Sequence, residues 1–210
     1  MYCMLNLLRY NKKLLAIGCW LLVLGACTDI VEDPAYRHEL ASERMAINEQ
    51  FFDPKESPLD SHLFYTFKGI KFFPISEKYR VKASLSLLKN DSVFELPHSH
   101  DATKPYKQYA VASFELLGKS YELLVLEQVV KKPGAENYLL LPFTDATSNI
   151  ETYGGGRYID LDKTAGTEIT IDFNKAYNPY CLYNSKYTCP IPPKENKLPI
   201  RLEAGMKADL

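Results

Sequence analysis

The chain has 210 residues, of which 24% are charged and 46% hydrophobic, and its formal net charge is −1 at pH 7. This length suits one domain with a full hydrophobic core and is short for two. The near-neutral charge argues against nucleic acid as a partner, because binding to phosphate backbones depends on a basic surface.

The N-terminus has the features of a bacterial export signal. Three basic residues precede the apolar run Leu14–Leu24, which is shorter than the about 20 residues that a membrane span needs. The run ends in Leu24-Gly25-Ala26-Cys27, which resembles the lipobox of bacterial lipoproteins. The resemblance implies cleavage before Cys27 and diacylglyceryl attachment to it. An ordinary cleaved signal and an uncleaved anchor are the alternatives.

Cleavage before Cys27 would divide the chain unequally in charge. Residues 1–26 hold three basic residues and no acidic one, so residues 27–210 contain 22 Lys+Arg against 26 Asp+Glu, a charge of −4. We expect a signal over 1–26, a tether over 27–33, a helix with its connection over 34–56, and one β-rich domain over 57–210. The expected location is the cell envelope, periplasmic or surface-facing, with the membrane contacted through the lipid.

A helix is predicted directly after the tether. Asp33-Pro34 is typical of a helix start, because Asp accepts from free amides of the first turn and proline suits the first position. Four apolar residues recur at helical spacing: Tyr36, Leu40, Ile47 and Phe51. This spacing predicts an amphipathic helix that ends near Asp53-Pro54.

From Ser57 onward the pattern is that of strands. Tyr79–Leu85 alternates strictly, and Tyr109–Leu117 and Lys119–Val129 flank Gly118 as a hairpin. Further strand-like segments are Leu63–Phe73, Ser92–Leu96 after a turn at Asn90-Asp91, Tyr138–Phe143, Arg157–Leu161, Glu168–Phe173 and Leu198–Glu203. Their spacing leaves no room for crossover helices. We therefore expect a mainly β fold, an antiparallel β-sandwich or partly open barrel with one N-terminal amphipathic helix.

The stretch Tyr153–Gly205 carries the most distinctive residues of the chain. Its motifs are GGGRYID, DFNKAYNPYC, CPIPPKENKLP and EAG, preceded by FKGIKFFPISEKYRVKA and LLLPFTDATSNIETY. Together they resemble the family called domain of unknown function sixteen eighty-four, over roughly Ser57–Lys207. The family is uncharacterised, so the resemblance implies no substrate and no catalytic residue. The family pattern continues Ala-Gly-Glu, whereas Met206 follows Gly205 here.

We predict that this stretch lines a binding site for a small polar ligand. The candidate residues are Tyr153, Arg157, Asp172, Asn174, Tyr177, Asn178, Tyr183, Asn196 and Glu203. The alternative is a scaffold role, because Asx side chains hold irregular backbone and five of the 13 prolines lie between Pro179 and Pro199. Likewise, Gly154–Gly156 suits either an anion-binding nest or a tight turn.

Two further groups of residues have alternative interpretations. In an exported protein Cys181 and Cys189 are expected to form a disulfide, with free thiols, a metal ligand or a reactive thiol as alternatives. His98-Ser99-His100-Asp101 has metal-ligating side chains but reads as a polar surface loop. No metal and no cofactor is predicted.

Three hypotheses for function follow. The first is a lipid-anchored envelope domain that binds a small polar ligand. The second is an enzyme, with Asp172, Glu203 or Cys181 as an acid, base or nucleophile and no catalytic residue identified. The third is a structural or interaction module that contacts an envelope protein and has no ligand site.

Overall fold

The computed structural model describes residues 33–89 and 92–208. The predicted signal, the lipid anchor Cys27 and the predicted turn at Asn90-Asp91 lie outside these residues. Two helices come first, α1 (Pro34–Phe52) and α2 (Ser61–Thr66). Seven strands follow: β1 (Arg80–Leu87), β2 (Val93–Pro97), β3 (Thr103–Leu116), β4 (Lys119–Gln128), β5 (Tyr138–Phe143), β6 (Arg157–Asp162) and β7 (Glu168–Asp172).

The strands form one antiparallel sheet in the order β6-β5-β4-β3-β1-β7, and β2 pairs with the first half of β3 beside β1. The sheet curls into a half-barrel. Tyr158 of β6 and Tyr177, which follows β7, exchange backbone hydrogen bonds of 2.9 and 3.0 Å. These bonds join the two edges of the curled sheet, and the predicted partly open antiparallel barrel is confirmed.

Helix α1 has the predicted limits. Its first amides are capped by the Asp33 carboxylate, which accepts from the Ala35 amide at 2.9 Å, and the chain leaves the helix at Asp53. The buried side chains of the helix are Tyr36, Leu40 and Phe51. They fall on the face that the apolar spacing predicted, because that face packs against the sheet and the loop after β7.

The predicted hairpin around Gly118 joins β3 to β4. Leu117 and Gly118 both adopt positive φ angles, 53° and 73°, as a two-residue hairpin turn requires. Further along the pair, the register shifts between Gln108 and Ala110. This β-bulge reverses which residues face each side, so Tyr106 and Ala110 lie on opposite faces of the sheet although they are four positions apart.

The two faces of the sheet carry separate apolar clusters. The first face forms the main core, which includes Phe114, Val125, Leu141 and Ile171, and the C-terminal segment covers it with Leu202. The second face carries Tyr106, Leu126, Leu140 and Tyr158, and Cys189 packs against it. A third cluster joins the end of α1 to the loop after β7. The second face is where the candidate site lies.

The strand predicted over Leu63–Phe73 is wrong. Asp60 accepts hydrogen bonds from the amides of His62 at 2.9 Å and Leu63 at 2.8 Å, and these bonds start helix α2. A local cap therefore prevails over the β propensity of the aromatic residues. Of the predicted strand only one isolated bridge is present, between Phe72 and Met206.

The strand predicted over Leu198–Glu203 is also wrong. Its alternation is real, since Leu198 and Leu202 are buried and Arg201 and Glu203 are exposed. However, backbone pairing is confined to the first residues of the segment, where the Leu198 amide donates to the Thr144 carbonyl and the Ile200 carbonyl accepts from the Ala146 amide. At Leu202 side chains take the place of a partner strand. The Leu202 amide donates to the Asp145 carboxylate at 2.8 Å, and the Leu202 carbonyl accepts from the Arg157 guanidinium at 3.1 Å.

Candidate functional site

Arg157, the charged residue of the glycine-rich motif, is buried in the interior. Its guanidinium lies 3.2 Å from the Asp145 carboxylate, and it also donates to the carbonyls of Leu202 and Ala204. Burial lowers the pKa of the Arg157 guanidinium, and the charge of Asp145 opposes that shift. The buried pair ties β6 to the C-terminal segment, which is a structural role.

The glycine-rich motif itself forms a tight turn. Gly156 has a φ of 93°, and a Cβ atom there would lie 2.7 Å from the Phe143 carbonyl oxygen. The Gly156 amide donates to the Tyr153 carbonyl at 3.0 Å. Glycine is needed at this position for backbone conformation and for close approach to β5.

Asp172 and Asn174 attach helix α1 to the end of β7. The Tyr36 hydroxyl donates to Asp172 at 2.7 Å, and the Asn174 side chain donates to the carbonyl of Ser76 at 2.9 Å. The Ser76 amide donates back to Asn174 at 3.1 Å. Burial, reinforced by the hydrogen bond to Asp172, raises the pKa of Tyr36. Both candidate side chains therefore bond to the protein's own groups in the interior.

Asn196 is completely buried between β4 and β5. Those two strands pair at one register position, Leu126 with Leu140, and continuing that register would place Leu124 opposite Pro142. Asn196 occupies this gap. Its amide nitrogen donates to the carbonyls of Leu124 at 2.8 Å and Pro142 at 2.7 Å, and its oxygen accepts from the Leu124 amide at 2.7 Å. The side chain thus replaces a missing length of ladder.

Three other candidates occupy different surroundings. Tyr183 is buried beside Phe51 and accepts a hydrogen bond from Asn178 at 3.1 Å. Glu203 is exposed, and its carboxylate lies 3.4 Å from Arg201. Tyr153 is partly buried close to Cys181, and burial followed by the Cys181 charge raises its pKa.

The candidate site is a cleft of about 520 Å³ on the second face of the sheet. It lies between β3, β4, β5 and β6 on one side and the end of α1 with the loop after β7 on the other. Tyr177 and Asn178, two of the predicted residues, line it. Five other tyrosines also line it: Tyr106, Tyr138, Tyr158, Tyr180 and Tyr187. The tyrosine-lined cleft is therefore the place where the motif and the sheet meet.

Asp160 is the acidic centre of the tyrosine-lined cleft. Its Oδ1 accepts hydrogen bonds from the Tyr177 hydroxyl at 2.6 Å and the Tyr138 hydroxyl at 3.0 Å. The described residues supply no hydrogen bond to its Oδ2. The Asp160 side chain is exposed through the mouth of the cleft and flanked by protein elsewhere. The flanking protein removes part of the hydration of the carboxylate and so raises the pKa of Asp160, and the two tyrosine hydrogen bonds oppose the shift.

The tyrosines around Asp160 are strongly held in their neutral form. Burial is the largest cause that raises the pKa of Tyr138 and of Tyr177, and the neighbouring Asp160 charge adds to both shifts. The neutral hydroxyls can therefore serve as donors at any physiological pH. Tyr158 donates to the Pro190 carbonyl and fixes the loop against β6.

The cleft also carries lysines. Lys175 is paired with Glu43 at 2.7 Å, whereas Lys104 and Lys132 have no carboxylate partner among the residues that the structure describes. Asn178 has a buried Oδ1 that, within the same residues, receives no hydrogen bond. The cleft thus presents two cations without a carboxylate partner and one open acceptor, the Oδ2 of Asp160.

Cys181 and Cys189 are free thiols on the loop beside the cleft. The Cys181 amide donates to the Cys189 sulfur at 3.3 Å, so the two residues are in contact. The expected disulfide stays a prediction. No group of three or more His, Cys, Asp or Glu side chains suited to a metal ion occurs among residues 33–89 and 92–208.

The residues of the sheet that complete the cleft were not predicted from the sequence. Tyr138, Tyr158 and Asp160 belong to strands that were identified, but their alternation alone does not tell which face meets the loop. A usable signal was present in β6, where Asp160 stands between the buried apolar residues Ile159 and Leu161. A charged residue at such a position indicates a face that is reached by solvent or ligand.

None of the helices that the structure describes is long and apolar enough to cross a membrane.

Comparison with known proteins identifies the family. Residues 65–207 match the family described as protein of unknown function, DUF1684. A solution NMR structure of an uncharacterized protein of Haloarcula marismortui is 33% identical, with a TM-score of 0.65. The similarity covers 84% of this chain and 96% of that one. No curated protein matches significantly. Since the family match spans more than half of the chain and the solved relative shares the fold, this chain belongs to the DUF1684 family.

Proposed function

We propose that the protein binds a small polar organic ligand in the tyrosine-lined cleft, with Asp160 as its central contact. The observation that carries the proposal is the Asp160 carboxylate, whose Oδ1 accepts from Tyr138 and Tyr177 while Oδ2 remains available. The two tyrosines fix the carboxylate in one orientation. A preoriented acceptor in a concave site costs a ligand little reorganisation on binding.

The other lining groups indicate the chemistry of the ligand. The open Oδ2 of Asp160 calls for a donor, so the ligand carries hydroxyl or amino groups. Lys104 and Lys132 favour an acidic group near the rim. The tyrosine rings favour a ring or another flat apolar face. A cyclic hydroxy acid combines these features.

The first experiment compares the native and denatured masses of the protein purified without denaturation. A native mass in excess of the denatured one supports a retained ligand. Glucuronate and glucose are then compared as probes in a thermal-shift assay, since they differ by a carboxylate. Stabilisation by glucuronate and a weaker effect of glucose support the proposed class.

Variants make this experiment specific. Asp160→Asn removes a charged acceptor and is expected to weaken binding about 10- to 100-fold, the effect of about 1.5–3 kcal/mol from a charged hydrogen bond. Asp162→Asn is the matched control, because Asp162 is exposed on the same strand and does not line the cleft. Equal behaviour of the two variants, or no retained mass and no probe effect in the wild type, would contradict the proposal.

The proposed location is the cell envelope, with the chain anchored through lipid on Cys27. Its support is the lipobox-like sequence Leu24-Gly25-Ala26-Cys27 after a short apolar run. Metabolic labelling with an alkyne-bearing fatty acid tests this directly. The wild type is expected to be labelled and to fractionate with membranes, and Cys27→Ala is expected to lose both properties. Unlabelled wild type would refute the anchor.

A second function, acid–base catalysis, is favoured by one observation. Asp160 and Tyr177 are in direct contact in the cleft, and the pKa of each is raised, mainly because nearby protein displaces water from it. Contacting groups of this kind are common in active sites. Turnover of a bound probe that is lost in Tyr177→Phe, while the probe still binds, would distinguish catalysis from binding alone.

A further inference from the structure

The two cysteines are brought together by separate anchors. Cys181 lies in the short helical turn Tyr180–Leu182. Cys189 is attached to the end of β2, because its amide donates to the Ser99 hydroxyl at 3.0 Å and its carbonyl accepts from the Ser99 amide at 2.9 Å. The backbone of the intervening loop is held by a hydrogen bond from Asn184 to the Tyr180 carbonyl at 3.0 Å.

These anchors place the sulfur atoms for reaction with each other. The Cys181 amide points at the Cys189 sulfur at 3.3 Å, and the two thiols are hydrogen-bonded. Both are free thiols in this structure. Closure of a disulfide between residues already in contact needs little backbone movement.

The two thiols differ in access and in acidity. Cys181 is partly exposed, whereas Cys189 is buried against the second face of the sheet. The hydrogen bond from Cys189 lowers the pKa of Cys181 to about 6 against the effect of burial, and the side chains of Ser99 and Tyr153 lower it further. The hydrogen bond to Cys181, together with burial, raises the pKa of Cys189.

Other groups facing the pair are Tyr106 and Lys104 from β3, Tyr158 from β6 and Tyr153 from the loop before β6. The tyrosines are neutral at physiological pH, so Lys104 is the charged group among these, and it acts on Cys189. Its positive charge favours loss of the Cys189 proton, which the resolving step needs. The surroundings are therefore those of an attacking thiol beside a resolving one.

We propose that Cys181 and Cys189 form a thiol–disulfide exchange site, with Cys181 as the attacking thiol and Cys189 as the resolving thiol. The co-reactant is a disulfide, either a small molecule or an exposed disulfide of another protein. This function goes beyond the proposed ligand binding and does not depend on it.

The exchange proceeds in two balanced steps. The Cys181 thiolate attacks one sulfur of the substrate disulfide, forms a mixed disulfide, and releases the other half as a thiolate that takes up a proton. Cys189 then loses its proton and attacks the Cys181 sulfur, which closes the internal disulfide and releases the second half as a thiol. The substrate disulfide is reduced by two electrons, and the two cysteines are oxidised.

The test uses the folded protein with both thiols reduced and oxidised glutathione as the probe. Cys189→Ser is expected to accumulate a mixed disulfide on Cys181, identified by peptide mass, because the resolving thiol is missing. The wild type is expected to form the internal disulfide with no lasting adduct. Cys181→Ser is the matched control and is expected to remain mostly unmodified. Adduct on neither variant, or equal adduct on both, would overturn the assignment.

A measurement on the wild type covers the case in which a variant does not fold. The rate of alkylation of Cys181 by iodoacetamide is expected to be half-maximal near pH 6. The alkylation rate at pH 7 is a weaker readout. The thiolate fraction of Cys181 is then about 30-fold higher than that of an ordinary cysteine, but a thiolate of low pKa is a weaker nucleophile, so its rate is expected to be only about twofold higher. Internal disulfide formation that requires denaturation would equally refute exchange in the native fold.

Discussion

Replacing Asn196 tests the bridge between β4 and β5. Asn196→Ala removes three hydrogen bonds of 2.7 to 2.8 Å and leaves the Leu124 amide and the carbonyls of Leu124 and Pro142 without their partner. Pro142 has no amide hydrogen, so the two strands cannot repair the gap by pairing with each other there. The variant is therefore expected to expose a weakness in the middle of the sheet.

The magnitude follows from the three lost bonds. Each buried backbone group left unsatisfied costs about 1–3 kcal/mol, and relaxation offsets part of the sum, so we expect a loss of roughly 3–5 kcal/mol. For a domain of this size each kcal/mol shifts the melting temperature by about 2–4 °C. A fall of about 6–20 °C is expected.

Urea unfolding followed by far-UV circular dichroism measures this loss. Tyrosine fluorescence is a second probe, because the one tryptophan of the chain, Trp20, lies in the predicted signal. Asn137→Ala is the matched control: Asn137 is exposed, and its substitution should change the unfolding free energy by less than about 0.5 kcal/mol.

Hydrogen exchange adds a local readout. The Leu124 amide should exchange faster in Asn196→Ala by more than its neighbour Val125, whose amide does not contact Asn196. A stability loss below about 1 kcal/mol, or equal acceleration at the two amides, would refute the bridging role.

Three further substitutions test the interior. Arg157→Ala should lower the free energy of unfolding in urea by about 3–5 kcal/mol, because it leaves the buried Asp145 carboxylate without its partner. Arg201 is exposed, and Arg201→Ala should lower the same free energy by less than about 1 kcal/mol. Similar losses in the two variants would contradict a structural role for the buried pair. Gly156→Ala should lower the melting temperature more than Gly134→Ala, since both have positive φ but a Cβ at Gly134 meets no atom within 4 Å. Burial lowers the pKa of His98, so the unfolded state binds more protons and stability should fall as the pH drops below about 6.5. His98→Phe should reduce this fall between about pH 8 and about pH 5, and an unchanged profile would exclude His98 as its source.

Much of the fold was predictable because it depends on local sequence patterns such as helix caps, apolar spacing and turn residues. The limits of α1 follow from the Asp33 cap and its apolar face, and the hairpin follows from the residues around Gly118. The segment Leu63–Phe73 failed for a related reason, because a cap at Asp60 outweighed aromatic composition. Local sequence signals therefore predicted most elements correctly, and the prediction failed at Leu63–Phe73, where two such signals conflicted.

The candidate site was predictable only in part. Tyr177 and Asn178 were identified because Asx and aromatic residues cluster in that loop, and both line the cleft. Arg157 and Asn196 belong to the same motifs but bond to backbone groups in the interior. Composition cannot tell a residue that lines the cleft from one that bonds to backbone in the interior, since the same polar side chain can bond to a ligand or to a buried carbonyl equally well.

The amino-acid pattern was enough to predict a mainly antiparallel β fold, the N-terminal helix and the family, and it left the sandwich and the partly open barrel as alternatives. The position of Asp160 in the cleft follows from the folded chain alone, because its partners Tyr138 and Tyr177 are 22 and 17 residues away and belong to different segments. The bulge before Ala110 shows the physical reason: one extra residue reverses the face on which Tyr106 lies. Which face of a strand meets a distant loop depends on register and curvature, and these are set by the packing of the whole sheet.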